Sequence, residues 1–245
     1  MCELCRHDTI VCHDKLHLVH TDLKLENILL CDDSYTAVTH RYCGKKYRVP
    51  NKVDVRLIDF GGATYERFDE ETGAKQLRFE TINTRQYRAP EVILGIGWDC
   101  QCDMWSLGCI LAELYTGELL FCTHENIEHL AMMEKILGTC IPKTMVEQVL
   151  VSTSQRHKDL KRSMSPHVSR SEFVDDTFFD SQTHTLRWPE VAISAESIKH
   201  VRERLTLKSL IQDADLESLV RCCLQIDPIR RWPARQCLGH HFFLS

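Results

Sequence analysis

The chain has 245 residues, of which 43% are hydrophobic and 27% charged, with 10 Gly and 7 Pro. That length can bury roughly 70–75% of the unfolded surface, and the composition excludes a disordered tail, a collagen-like repeat and a coiled-coil rod. A formal net charge of −5 provides no whole-chain basic field for a phosphate backbone, so no direct nucleic-acid partner is expected. Residues 1–17 read as a partial helix. They carry Glu3, Asp8 and Asp14 and lack the apolar run of a secretory signal. Residues 18–30 begin at Leu18–Val19 and end in the strand-like Ile28–Leu29–Leu30. In 31–58, Tyr, Val and Thr mix with Gly44 and Pro50, a pattern for a hairpin insertion followed by a strand at Val53–Ile58. The strand stops at Asp59–Phe60–Gly61–Gly62, and residues 63–91 are polar, with few periodic apolar positions, and read as a long loop of the kind that is usually functional.

The remainder, 92–245, reads as helical. A helix over 103–116 has Asp103 in N-cap position and Gly117 at its end, and Met104, Trp105, Leu107, Ile110, Leu111, Leu114 and Tyr115 cover most of its circumference, as for a buried central helix. The next helix follows Thr123, places Ile127, Leu130, Ala131 and Leu137 on one face and stops at Gly138, an amphipathic pattern. Residues 152–190 are polar and partly basic (Arg156, Lys158, Lys161, Arg162, Arg170) and read as a surface insertion. Leu216–Leu224 and Pro233–Leu238 read as the last helices. The most apolar stretch, Leu107–Tyr115, is nine residues long and includes Glu113, too short for a membrane span, so no membrane association is expected. Thirteen cysteines, odd in number and scattered from Cys2 to Cys237, fit a reducing compartment, nuclear or cytoplasmic, better than a disulfide framework. Cys2, Cys5, His7, Cys12 and His13 have a zinc-like look, but the second pair lacks finger spacing, so a structural role is the plainer reading.

Three strings occur in order: His20-Thr21-Asp22-Leu23-Lys24-Leu25-Glu26-Asn27, then Asp59-Phe60-Gly61, then Ala89-Pro90-Glu91. Asp103-x-Trp105-Ser106-x-Gly108 and Asp227-Pro228-x-x-Arg231 follow. Each string alone is weak, but the ordered series is specific. It resembles the catalytic loop, metal-binding loop and activation-segment end of eukaryotic protein kinases. The stretch Glu128-His129-Leu130-Ala131-Met132-Met133-Glu134-Lys135-Ile136-Leu137-Gly138 resembles the signature of the LAMMER, or Cdc2-like, dual-specificity kinases, with Lys135 in place of the usual Arg.

The resemblance implies a protein-kinase-like α+β fold, mainly α-helical in its C-terminal lobe with short β-hairpins, and serine/threonine kinase activity using ATP and Mg²⁺. By position, Asp22 is the base that orients the substrate hydroxyl. Lys24 approaches the transferred phosphoryl group, Thr84 pairs with Lys24 and favours Ser/Thr substrates, and Asn27 and Asp59 hold Mg²⁺ through hard oxygens. Glu91 and Arg231 are implied to form a buried ion pair, and Asp103 to accept backbone hydrogen bonds from the catalytic loop. Thr21 replaces an Arg that usually clamps a phosphorylated activation-loop residue, so activity independent of that phosphorylation is expected.

The glycine-rich loop, strand Lys and helix Glu of a kinase N-terminal lobe are not found ahead of His20, and no Gly-x-Gly-x-x-Gly occurs in these residues. The expectation is a C-terminal lobe with the β-rich N-terminal lobe absent. Its activity would need that lobe or a full-length kinase as partner; the alternative is an inactive binding or regulatory module. The expected substrates are Arg/Ser-rich proteins, for which Asp69, Glu70, Glu71, Glu172, Asp175 and Asp176 are candidate contacts.

Overall fold

The computed structural model describes residues 9–39, 44–162 and 176–244, without the side chains of 153–162 and 176. A helical turn of π type at Val11–Lys15 precedes eight short strands: β1 (Leu18–Val19), β2 (Ile28–Leu30), β3 (Tyr35–Thr39), β4 (Lys46–Pro50), β5 (Val55–Leu57), β6 (Thr64–Tyr65), β7 (Arg67–Phe68) and β8 (Lys75–Gln76). They pair antiparallel as β1 with β6, β2 with β5, β3 with β4 and β7 with β8, four two-stranded sheets among the described residues. Among the described residues eight α-helices follow: α1 (Pro90–Leu94), α2 (Gln101–Thr116), α3 (Asn126–Leu137), α4 (Lys143–Arg162), α5 (Ala195–Arg202), α6 (Leu207–Leu210), α7 (Ala214–Cys223) and α8 (Ala234–Leu238). Among the described residues no helix is long and apolar enough to cross a membrane.

The all-round apolar pattern of α2 makes it the axis of the core, and every residue from Cys102 to Ala112 is buried. Its Trp105 stacks on Phe121 with ring centroids 5.7 Å apart. Helix α7 crosses it closely: a Cβ at Gly108 would lie 2.8 Å from Leu224, so only glycine fits there. One expectation for this helix fails. Asp103 lies within its first turn, Cys100 occupies the N-cap position without a side-chain cap, and the Asp103 carboxylate reaches away from the helix. It accepts from the backbone N–H of His20 at 2.7 Å and of Thr21 at 3.0 Å, with His13 Nε2 2.9 Å away.

Helix α3 is more enclosed than its one-sided pattern predicts, with nine of its twelve residues buried. Glu128 accepts from Ser197 Oγ at 2.7 Å and faces His200 Nδ1 at 2.6 Å, tying α3 to α5. His129 packs on Phe121 with both ring nitrogens unpartnered, and burial, aided by the charges of Arg88 and Arg85, pushes its pKa down to about 3, so it stays neutral. Helix α4 continues to Arg162, well into the stretch read as a surface insertion, and beyond it Phe179 and Leu186 are buried against the core. The described cysteines are free thiols. Cys2, Cys5 and His7 of the zinc-like string, like Glu172 and Asp175, lie outside the described residues.

Candidate active site

The loop between β1 and β2 carries His20 to Asn27, and its conformation is set by side chains far away in sequence. Thr21 has φ +69°, a strained value for a β-branched residue, yet three contacts hold it there. Its N–H reaches Asp103, its Oγ1 donates to the Gly62 carbonyl at 2.8 Å, and its own carbonyl accepts from the Asn83 N–H at 3.0 Å. A Cβ at Gly62 would sit 3.0 Å from that Thr21 oxygen, which accounts for the second glycine after Phe60. The Asp59 loop is tied to the same place. His20 Nε2 donates to the Ile58 carbonyl at 3.0 Å, the Ile58 N–H donates to the Asn27 carbonyl at 3.0 Å, and the Phe60 ring lies 4.8 Å from the His20 ring. Asp59 itself is left-handed at φ 64°, ψ 63°, a region that Asp tolerates better than most residues.

These ties bring the sequence-predicted residues together. Lys24 Nζ donates to Asp22 Oδ2 at 2.7 Å and to Thr84 Oγ1 at 3.3 Å. Thr84 closes the ring: its Oγ1 and its N–H donate to Asp22 Oδ1 at 2.8 and 3.0 Å. Burial acts to raise the Asp22 carboxyl, but the hydrogen bonds from Lys24 and Thr84 outweigh it and hold it below the usual carboxylate range. Lys24 is pushed up, first by its bond to Asp22 and also by the charges of Asp22, Glu26 and Asp59, which places Asp59 within electrostatic reach of the ring. Asn27, buried, donates Nδ2 to the Asp22 carbonyl at 2.9 Å, and its Oδ1 has no hydrogen-bond partner among the described residues. Asp59 is exposed and makes no ion pair among the described residues.

Several residues that shape the site went unread in the sequence. Arg88 grips the Ile82 and Asn83 carbonyls, each at 2.8 Å, and so holds the chain just before Thr84. Tyr87 Oη donates to Glu113 at 2.5 Å, and Ser106 Oγ donates to the Tyr87 carbonyl at 2.8 Å. The string Thr84–Arg88 directly ahead of Ala89 was the available signal; its partners on α2 were not visible. Glu91 and Arg231 meet as expected, at 2.6 and 2.9 Å and fully buried. Asp69 is engaged within its own turn, accepting from the N–H groups of Glu71 and Thr72 and from Thr72 Oγ1.

Comparison with known proteins gives the same picture. Residues 10–243 match the family described as Protein kinase domain. Serine/threonine-protein kinase AFC2 of Arabidopsis thaliana is 40% identical over 94% of this chain and 49% of its own length. Dual specificity protein kinase lkh1 of Schizosaccharomyces pombe is 38% identical over 93% of this chain and 29% of its own, and Dual specificity protein kinase CLK4 of Mus musculus is 35% identical over 98% and 43%. The chain therefore spans about half, or less, of the length of these curated relatives. A kinase domain solved by crystallography superposes with a TM-score of 0.77 at 39% identity, over 99% of this chain and 63% of that one.

Proposed function

Because this chain belongs to the protein kinase family, with relatives named as serine/threonine and dual-specificity kinases of the LAMMER type, we propose that it supplies the phosphate-transfer half of a protein serine/threonine kinase acting on Arg/Ser-rich proteins. The observation that carries this reading is the closed ring of Asp22, Lys24 and Thr84. Held below the usual carboxylate range, Asp22 is ionised at neutral pH and accepts a hydrogen bond from the incoming hydroxyl, then its proton. Lys24 sets one positive charge beside that carboxylate, where phosphoryl negative charge develops. Thr84 fixes the rotation of the Asp22 carboxylate, so the lone pair that receives the proton is already aimed.

The donor set fits Mg²⁺: among the described residues the Asn27 Oδ1 has no hydrogen-bond partner and Asp59 is an exposed carboxylate with no ion pair, both hard oxygens. When bound there, the ion neutralises phosphate charge. For ATP the fit is partial. The loop residues suit the γ-phosphate end, while residues 1–245 contain no glycine-rich loop to cover the phosphates. We infer that the nucleotide clamp comes from outside these residues. Leu29, Leu30, Ile58 and Phe60, 38–48% exposed beside the loop, form the apolar strip that such a lobe would cover. That strip also supports the second reading, a non-catalytic module that engages a kinase lobe from another chain.

Phosphate transfer from ATP to an Arg/Ser-repeat peptide, measured with a glycine-rich small lobe fused ahead of residue 1, tests the proposal. Transfer that falls at least about 10³-fold in Asp22→Asn supports it; transfer unaffected by that change sinks it, and none from the fused protein favours the binding module. Thr21 offers no cation to a phosphorylated residue, so phosphatase treatment of the active form leaves transfer intact.

A further inference from the structure

The segment from Ala63 to Glu91, polar and loop-like in sequence, is tied down along its length. Its start pairs with β1 through β6, and its end is held by Asn83 on Thr21 and by Arg88. Its middle folds into the β7–β8 hairpin, with Phe68 opposite Lys75 and the turn closed by Asp69. After β8 the Arg78 N–H donates to the Trp98 carbonyl at 3.1 Å, the Trp98 N–H returns to Arg78 at 2.8 Å, and a Cβ at Gly97 would lie 2.9 Å from Leu77.

One side chain links the hairpin to the rest of the protein by charge. Lys75 Nζ lies 2.7 Å from Glu66 Oε1 and 3.2 Å from Asp99 Oδ2, and 3.7 Å from Cys100 Sγ. The Glu66 side chain is only 4% exposed, and its other contacts are with His17, just ahead of β1, and Cys100, at the start of α2. Its N–H donates to the His17 carbonyl at 2.7 Å, and its carboxylate accepts from the Cys100 N–H at 3.4 Å. Glu66, Asp99 and Cys100 have the mutual spacing of a metal-ligand set, but the Lys75 ammonium is already the cation among them. Burial opposes charge on Lys75, yet its bond to Glu66 and the charge of Asp99 win, so the ammonium form is strongly favoured. Losing it would leave the nearly buried Glu66 carboxylate with only the Cys100 N–H at 3.4 Å and His17 Nδ1 at 3.7 Å beside it.

We propose that Lys75 is a positioning residue: an internal cation that ties the β7–β8 hairpin to Glu66, the point of the activation segment anchored beside the strand before the catalytic loop, and to Asp99 at the start of α2, without a phosphate. Naming residues 59–91 an activation segment rests on the kinase reading; the ion cluster itself does not. Lys75 thus supplies from within the segment the charge that Thr21, being neutral, does not supply from the catalytic loop.

Amide hydrogen exchange on residues 1–245, freed of phosphate and checked by mass spectrometry, tests this independently of phosphate transfer. In the unmodified sequence the Glu66 and Arg78 amides are protected. In Lys75→Met they exchange about tenfold faster or more while the amides of α2 and α3 keep their rates, and Lys75→Arg restores most of the protection. If Lys75→Met does not fold, Asp99→Asn decides: faster exchange confined to the same amides supports the proposal, and unchanged exchange overturns it. The proposal is also overturned by unchanged exchange in Lys75→Met, by equal acceleration throughout α2 and α3, or by a segment unprotected in the phosphate-free protein.

Discussion

Replacing Glu91 by Gln should be among the most damaging single changes available in this fold. Glu91 and Arg231 are both fully buried, and the guanidinium uses all five of its N–H groups: two on the Glu91 carboxylate at 2.6 and 2.9 Å, and one each on the carbonyls of Gln101, Gln225 and Ile226. Arg231 also lies over the Trp105 ring, 5.3 Å from its centroid, so it cannot swing out without opening the core. The amide preserves shape but removes the negative charge, leaving an uncompensated buried cation, a loss of about 3–5 kcal/mol. At ~2–4 °C per kcal/mol for a domain of this size, the melting temperature should drop by roughly 6–20 °C. Against a total stability of about 5–15 kcal/mol, the variant would sit near the edge of folding. Urea titration followed by near-ultraviolet circular dichroism measures this. The double change Glu91→Met with Arg231→Met should cost less than the sum of the two singles, because no charge is stranded, although three carbonyls lose their donor. A Glu91→Gln variant within about 1 kcal/mol of the parent would show that the pair does not hold the segment end to the helical core, and the reasoning would fall.

Three further outcomes follow from the site and the core. Asp22 should titrate with a midpoint below 3.8 in a carboxyl carbon NMR titration, since its folded value is depressed; the stability it contributes is present above the unfolded pKa and is lost as pH falls through the folded one. Lys24→Met should raise that midpoint, because burial remains while the chief opposing hydrogen bond is gone; an unmoved midpoint contradicts the ring. Gly108→Ala should cost about 1–3 kcal/mol, because the added methyl meets Leu224 at 2.8 Å and α2 and α7 must part to admit it; a neutral result in thermal unfolding would mean that the two helices are not in such close contact.

The residues of the candidate site were legible in the sequence because their identity and spacing are local. His20 to Asn27 and Asp59 sit in unbroken strings, and the Thr84 ring follows once those strings are placed. Partnerships over long separations were not legible in the residues themselves; those of Glu91 with Arg231 and of Asp103 with the catalytic loop came from the family resemblance. A carboxylate at the start of a helix reads as a cap whether or not it caps; the resemblance implied that Asp103 serves the catalytic loop, and the fold shows that its oxygens take the N–H groups of His20 and Thr21. The order of residues 63–91 was hidden for the same reason, since His17, Trp98 and Asp99 supply it from outside the segment. Helix α4 runs into the stretch read as a surface insertion because polar Gln, Lys and Arg are good helix formers, so polarity alone did not mark a loop. Helix α3 looked one-sided because Glu128 and His129 are polar, although both are enclosed.

The central claim is that Asp22, Asn27 and Asp59 share one phosphate-transfer site, and Mn²⁺ in place of Mg²⁺ tests it on this chain directly. With millimolar ATP present, paramagnetic line broadening mapped by amide NMR should centre on Asn27 and Asp59 and vanish in Asp59→Ala. Broadening centred instead on Glu66, Asp99 and Cys100, or spread evenly over exposed carboxylates, would contradict the account.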